Sequence, residues 1–237
     1  MSQLLTTMLE TGNNSIENIS VQVALSGYVS RIERDGVSVS SGWMSADRFF
    51  TDPQFRRQYG DVAVSVFTPK FALIPEQFFD AVSAREQLAE TADITDTDYV
   101  SYEPVPQMKS VLVFSTSIGE TLSRAVSETV CRTDGEKVRV LPEVWYMLRA
   151  LDFVPEYNKV LASVADGHLY LVVAQGRSLL LCTTFQAADF VTAEYFIFLA
   201  MKKFQLNMEM TVIYFRTPLR EDEEMSLYRY FKSVDYI

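Results

Sequence analysis

The stretch that decides the fold is "ADGHLYLVVAQGRSLL", residues 165–180, because it repeats a pattern present near the start of the chain, "LSGYVSRIERDGVSV", residues 25–39. In each stretch a polar residue precedes a glycine, a run of strand-forming residues follows, and a second polar–glycine pair closes the run. Glycine supplies the positive φ that two-residue hairpin loops require. Each stretch therefore predicts two tight turns that connect three antiparallel strands.

The glycines of the two stretches have matched spacing. Gly27 and Gly36 are separated by the same interval as Gly167 and Gly176. Before the first turn, from Ile19 onward, apolar and polar residues alternate as they do in a half-buried strand. We therefore expect two three-stranded meanders, repeated at an offset of 140 residues. Two hairpins of equal length that arose independently remain the alternative.

Each meander is followed by alternating helices and strands. In the first half we expect a helix from Ser45 or Asp47 to about Tyr59, a helix opened by Pro75 in "PEQFFDAVSAREQLAETA", and a helix that begins at Ser117. In the second half a long helix is expected over 187–204. The sequence ends at "SVDYI", soon after the last predicted helix, so the second half is expected to lack its final strand and helix.

This duplicated order resembles the ribonuclease H-like fold of the actin-like ATPases, whose superfamily includes actin, sugar kinases, chaperone ATPase domains and degenerate cytoplasmic proteins of pilus and secretion platforms. The stretches "VALSGYVSRIERDG", "VFTPKFALIPEQFF" and "ADGHLYLVVAQG" look most like an uncharacterised bacterial family assigned to that fold. The resemblance implies an α/β protein of two tandem ribonuclease H-like halves that face a cleft. We expect an irregular lead-in over 1–18, a first half over 19–154 and a second half, possibly shortened, over 155–237.

The resemblance also implies where a ligand would bind. In active members the turn between the first two strands of each half is a phosphate loop, in which an Asp orients Mg²⁺ and glycine amides approach phosphate. Here the first turn has serine where the carboxylate would stand and a tyrosine that would crowd the loop, and the second turn lacks its next glycine. The candidate cleft residues on these two turns are Ser26, Gly27, Tyr28, Asp166, Gly167 and His168.

Other signals of catalysis are weak. The Gly-Gly pair of the superfamily's adenosine site has no counterpart in "IYFRTPLREDEE", residues 213–224. The first strand carries no acid for a two-metal nuclease. His168 is the only histidine, and Cys131 and Cys182 read as buried thiols. We therefore expect no catalytic residue, no metal and no cofactor.

Charge and composition restrict the partners. The 237 residues carry a formal net charge of −10, and a surface that negative repels phosphate backbones, so nucleic acid is not an expected partner. The most apolar long stretch, 190–201, is shorter than the about 20 residues that a membrane span needs. The start of the chain lacks the basic region of a signal peptide. These features predict a soluble cytoplasmic protein with no direct membrane insertion.

Three functions fit these features. The first is a non-catalytic binding or scaffold protein, whose ligand is an unidentified protein partner or another copy of the chain. The alternative is a nucleotide-binding ATPase or phosphotransferase with eroded phosphate loops, in which Asp166 positions Mg²⁺ and the Gly27 and Gly167 amides hold the phosphates of ATP. A further alternative is a cytoplasmic platform subunit of a pilus or secretion assembly.

Overall fold

The computed structural model describes residues 17–117 and 120–237. Its first sheet has five strands in the order β3–β2–β1–β6–β11, with the short β4 pairing alongside β2. Strands β1, β2 and β3 form the antiparallel meander, whereas β6 and β11 run parallel to β1. The strands of this half are β1 (Asn18–Ala24), β2 (Gly27–Arg34), β3 (Val37–Ser40), β4 (Met44–Ser45), β5 (Gln58–Tyr59), β6 (Val62–Val66), β10 (Cys131–Arg132) and β11 (Val140–Pro142).

The second sheet repeats this topology. Its order is β14–β13–β12–β15–β16, again an antiparallel meander beside two parallel strands. The fifth strand, β16, is formed by the residues that the sequence interpretation left unstructured, so the expectation that this half lacks its final strand is wrong. The strands are β12 (Asn158–Ala165), β13 (His168–Gln175), β14 (Ser178–Gln186), β15 (Val212–Phe215) and β16 (Ser233–Tyr236).

Strand register corrects the offset between the two meanders. Ala24 pairs with Gly27 across the first turn, and Ala165 pairs with His168 across the corresponding turn of the second half. Corresponding residues therefore differ by 141 in number, and the expected offset of 140 is wrong by one. The glycines matched by spacing are not equivalent, because Gly27 begins β2 whereas Gly167 lies within the turn.

A small unit is inserted between β6 and the helix that follows it. It is a three-stranded antiparallel sheet in the order β7–β9–β8, formed by β7 (Phe71–Pro75), β8 (Val100–Val105) and β9 (Ser110–Ser115). One face packs on the short helix α1 (Ala84–Ala89), with Leu88 and Val113 fully buried between them. The predicted long helix beginning at Pro75 is wrong, since Pro75 ends β7.

The remaining helices agree with the spacing of apolar residues in the sequence better than the region after Pro75 does. They are α2 (Glu120–Thr129), α3 (Glu143–Ala150), α4 (Phe190–Lys203) and α5 (Glu221–Leu227). Asp189 is the N-cap of α4, and its carboxylate accepts a hydrogen bond from the Thr192 N–H at 2.8 Å. The helix ends in two lysines, whose positive charge interacts favourably with the helix dipole. The sequence predicts that α2 starts at Ser117, but residues 118 and 119, between that position and Glu120, lie outside the described ranges. The helix expected up to Tyr59 is instead two 3₁₀ turns, 46–51 and 53–56.

The halves share one core. Helix α3 lies between the two sheets and buries Val144, Met147 and Leu148 against apolar residues of both halves and of the inserted unit. The rings of Phe67, after β6, and Tyr170, on β13, lie 5.3 Å apart across this boundary. Apolar side chains of the two halves therefore pack together across the boundary between them. Within residues 17–117 and 120–237, every helix is too short or too polar to cross a bilayer.

Candidate functional site

The two turns that correspond to phosphate loops touch each other. Asp166, at the tip of the turn between β12 and β13, accepts hydrogen bonds from two backbone amides of the turn between β1 and β2. The Leu25 N–H donates to Oδ2 at 2.5 Å, and the Ser26 N–H donates to Oδ1 at 3.1 Å. Turn amides of this kind are typical anion sites. Here the anion is a carboxylate of the protein itself.

Local sequence explains why Asp166 is held in this position. Asp166 and Gly167 both have positive φ, 49° and 71°, which is the backbone of a type I′ hairpin turn. Asp is one of the few non-glycine residues that tolerate this conformation. The turn between β2 and β3 has the same chemistry at Asp35 and Gly36, with φ of 51° and 77°, but Asp35 makes no contact with the other half.

The other candidate turn residues have structural roles. Ser26 is exposed and contributes its backbone amide. Gly27 allows β4 to approach, since a Cβ at this position would lie 2.0 Å from the Met44 carbonyl oxygen. Tyr28 does not crowd the turn, because its ring is buried between Phe49 and Phe55 in the first half and its hydroxyl donates to Asp52 at 3.0 Å.

His168 and Gly167 complete the second turn. The His168 imidazole lies 2.9 Å from the Asp166 carbonyl oxygen, so its Nδ1 is used within its own turn. Gly167 is exposed and has no heavy atom near the position of a Cβ, and its positive φ explains the glycine. The six candidate residues therefore come together in part, with Ser26 and Asp166 in contact and Tyr28 facing away.

A buried carboxylate lies deeper between the halves. Glu143, the first residue of α3, is completely buried, and its Oε1 accepts three hydrogen bonds. The donors are Gln22 Nε2 at 2.9 Å, Ser163 Oγ at 2.9 Å and Arg216 Nε at 2.8 Å. A buried charge of this kind is stable only when it is paired and hydrogen-bonded, and Arg216 supplies the opposite charge.

The three donors come from both halves. Gln22 lies on β1 of the first half, and Ser163 lies on β12 at the corresponding position of the second half, because the two residues differ by the offset of 141. Arg216 follows β15 of the second half, and its guanidinium stacks 5.5 Å from the centre of the Tyr146 ring. Glu143 thus joins the two sheets at the start of the helix that connects them.

A cavity of about 150 Å³ adjoins this cluster. Arg31, Gln22, Tyr146 and Arg216 are among the residues that line it. Burial, together with the nearby positive charge of Arg216, lowers the pKa of Arg31, while burial raises the pKa of the Tyr146 hydroxyl to about 12. Arg31 therefore presents hydrogen-bond donors to the cavity, whereas the Tyr146 hydroxyl donates to the Val64 carbonyl oxygen at 3.3 Å.

The arrangement offers little for covalent or metal chemistry. Among the described residues, no three His, Cys, Asp or Glu side chains are grouped so that they could hold a metal ion. The Cys182 thiol is partly covered, and burial raises its pKa to about 12, which disfavours the reactive thiolate. Asp166, which would orient Mg²⁺ under the ATPase alternative, has both oxygens engaged by the first turn.

Sequence reasoning missed the Glu143 cluster. The feature of the sequence that points to this cluster is the polar residue Gln22. It lies on the same face of β1 as Ala24, and this face is directed toward the other half. Ser163 corresponds to Gln22 only when the offset between the two halves is 141, whereas the sequence interpretation used 140. Arg216 lies in the stretch that was considered solely for its lack of glycines.

Solved structures with the same architecture define the class of protein. A Bacteroides thetaiotaomicron protein with actin-like ATPase fold and unknown function is 15% identical, with a TM-score of 0.66 over 97% of this chain and 94% of that one. The PilM–PilN type IV pilus biogenesis complex matches with 10% identity and a TM-score of 0.51, over 94% of this chain and 88% of that one. The protein therefore has the actin-like ATPase fold.

The family follows from the sequence itself. Residues 37–234 match the family described as "Protein of unknown function (DUF3822)", and the chain belongs to that family. No curated protein is significantly similar to it in sequence. The resemblance to an uncharacterised family with this fold is thus confirmed.

Proposed function

We propose that the protein is a non-catalytic binding or scaffold protein that retains the actin-like ATPase architecture without its nucleotide chemistry. The observation that carries this proposal is the contact between Asp166 and the amides of Leu25 and Ser26. A nucleotide phosphate would have to displace a carboxylate that is tethered in place. The displaced carboxylate would then repel the incoming phosphate.

The apolar contact between the halves supports the same proposal. Actin-like ATPases need room for a nucleotide between their halves, whereas here the rings of Phe67 and Tyr170 pack together across the boundary and α3 buries its apolar side chains against both halves. The Glu143 cluster also ties the sheets together, because the hydrogen bonds from Ser163 and Arg216 of the second half to Glu143 would have to break for the halves to separate.

A protein ligand is supported by apolar residues on the surface. On α4, Val191, Tyr195 and Leu199 are spaced four residues apart and lie 73%, 60% and 45% exposed. Side chains at this spacing share one helix face. Contiguous exposed apolar surface commonly marks a protein interaction site. The PilM–PilN structure is a complex, and it supports the idea that a chain with this fold can act as a binding partner.

Thermal melting with and without Mg-ATP tests the proposal. A ligand at 100 times its dissociation constant stabilises a protein by about 2.7 kcal/mol, which is a clear shift in melting temperature. We expect no shift at millimolar Mg-ATP in chloride buffer. A shift accompanied by release of phosphate from ATP would overturn the proposal in favour of the ATPase alternative.

Light scattering over a range of protein concentrations tests self-association. If further copies of the chain are the ligand, Tyr195→Glu should lower the average mass, and Tyr99→Glu, at a tyrosine 73% exposed on the inserted unit, should leave it unchanged. If the wild-type protein is monomeric at all concentrations, the proposed ligand is a different protein. Capture by the wild-type chain of a defined partner that Tyr195→Glu fails to capture would then support it.

A further inference from the structure

Two guanidinium groups, those of Arg31 and Arg216, line the cavity beside Glu143. Among the described residues Arg216 donates to Glu143 through Nε alone, so its two terminal nitrogens keep their N–H groups for other partners. Arg31 makes no ion pair and no side-chain hydrogen bond with any residue in the described part of the chain. The carboxylates of Glu143 and Glu33 act on Arg31 only from beyond contact distance.

These charges are partly removed from water. The Arg216 side chain is 16% exposed, Gln22 is 6% exposed, and Arg31 is half-buried in β2. An incompletely paired charge in such surroundings is costly, and natural proteins seldom keep one without a partner. Glu143 and Glu33 supply negative charge near Arg31, but no described residue pairs with its guanidinium directly, and a bound anion would do so.

The size of the cavity limits what that anion can be. Pockets for drug-sized ligands typically have volumes of about 300–1,000 Å³. A cavity of about 150 Å³ is smaller than these, and it therefore suits a small anion such as phosphate or a carboxylate better than a nucleotide. Guanidinium groups hold both kinds of oxyanion through paired N–H···O bonds.

We propose that this cavity binds one small oxyanion between Arg31 on β2 and Arg216 after β15. The ligand is a free phosphate or a small carboxylate, both of which present the two coplanar oxygens that an arginine fork recognises. Such a ligand would connect the first sheet to the second, beside the Glu143 cluster. This inference goes beyond the proposed function, because a scaffold protein needs no such ligand.

Thermal melting at constant ionic strength, with chloride replaced by phosphate or by acetate, tests the proposal. The central variant is Arg31→Gln, because Arg31 has no partner to lose and the ligand-free variant should melt no lower than the wild type. Arg34→Gln is the matched control, since it removes the same charge from the exposed end of the same strand. Arg216→Gln is less useful, because it would leave Glu143 buried without its ion pair.

We expect one of the two anions to raise the melting temperature of the wild type and of Arg34→Gln equally. In Arg31→Gln the affinity for that anion should fall at least about tenfold, as expected for loss of a charged hydrogen-bonding partner. The anion that produces the shift identifies the source as phosphate or carboxylate. The proposal is overturned if neither anion stabilises the wild type, or if Arg31→Gln responds as strongly as Arg34→Gln.

Discussion

Gln22 and Ser163 lie at corresponding positions on the first strands of the two halves, and both donate a hydrogen bond to the same atom, Oε1 of Glu143, at 2.9 Å. The shared topology of the two sheets creates this symmetry, because each half directs the same strand position toward the other. The carboxylate between them begins the helix that links the halves. The polar centre of the molecule thus holds the halves together.

Glu143→Gln should therefore destabilise the protein strongly. The amide keeps the shape of the side chain but removes the negative charge that pairs with buried Arg216, and breaking a buried pair typically costs about 3 kcal/mol or more. Urea unfolding measures the change in the free energy of unfolding. The control is Glu194→Gln on α4, where we expect no loss: both glutamates are buried and each has one oxygen without a hydrogen-bond partner, but among the described residues only Glu143 has an ion pair. Equal effects of the two substitutions would show that the cluster contributes nothing specific.

Asp166→Asn should lower stability by about 1 kcal/mol. Asparagine tolerates the positive φ of the turn, so the change removes the charge and one acceptor while it preserves the hairpin. Asp35→Asn is the matched control, because Asp35 has the same backbone conformation without a contact across the halves. Guanidinium unfolding of both variants provides the comparison. A loss of the same size in Asp35→Asn would mean that the turn itself, and not the contact between the turns, is responsible.

Gly27→Ala should cost more than Gly167→Ala. A methyl group at position 27 would lie 2.0 Å from the Met44 carbonyl oxygen, so β4 would have to separate from β2, and overpacking of this kind costs about 1–3 kcal/mol. At position 167 there is open space, and only the strain of a positive φ remains, about 1 kcal/mol. Thermal unfolding would rank the two. The opposite order would favour a role for Gly27 in the turn instead of in strand packing.

Acid should destabilise the inserted unit through Asp98. This carboxylate is buried and accepts bonds from Lys70 Nζ at 2.6 Å and Ser115 Oγ at 2.8 Å. Although burial alone would raise its pKa, these bonds and those from Thr95 hold the pKa well below the usual value. Because the folded-state pKa is the lower one, Asp98 stabilises the fold above about pH 4, and that contribution disappears as pH falls toward the folded-state pKa.

The pH dependence of unfolding in Asp98→Asn checks this expectation. The variant should be less stable than the wild type near pH 7, and the difference should shrink below about pH 4, because the unfolded wild type then binds a proton at this carboxyl while the folded protein does not. Asp96→Asn, at an exposed position of the same loop, should track the wild type throughout. A difference that stays constant down to pH 2 would show that Asp98 acts through packing and not through its charge.

The sequence predicted the meanders well because their turns are determined locally. Asp-Gly pairs with positive φ and alternating apolar residues are sufficient to fix a hairpin. The same reasoning failed at Pro75, where apolar residues at helical spacing suggested a helix. Phe78 and Val82 are in fact 67% and 93% exposed, and the pairing of β7 with β9 decides the structure there. Strand pairing over long sequence distances overrides local propensity.

The candidate site was predicted only in part. The two turns were identified from their resemblance to phosphate loops, but the contact of Asp166 with Leu25 and Ser26 joins residues about 140 positions apart, and no local pattern reveals it. The position of Asp98 was also not predictable from local sequence. Asp98 ends the acidic stretch 90–98, a composition typical of a solvated loop, yet in the structure it is bonded to Lys70 and Ser115.

Amide hydrogen exchange at Leu25 and Ser26, measured with and without Mg-ATP, tests the central claim most directly. If the Asp166 carboxylate occupies these amides, both should exchange slowly in the free protein, remain unchanged on addition of millimolar Mg-ATP, and exchange faster in Asp166→Ala. Amides that exchange freely in the wild type and become protected by Mg-ATP would show that the turn is a working phosphate loop, and would contradict the account.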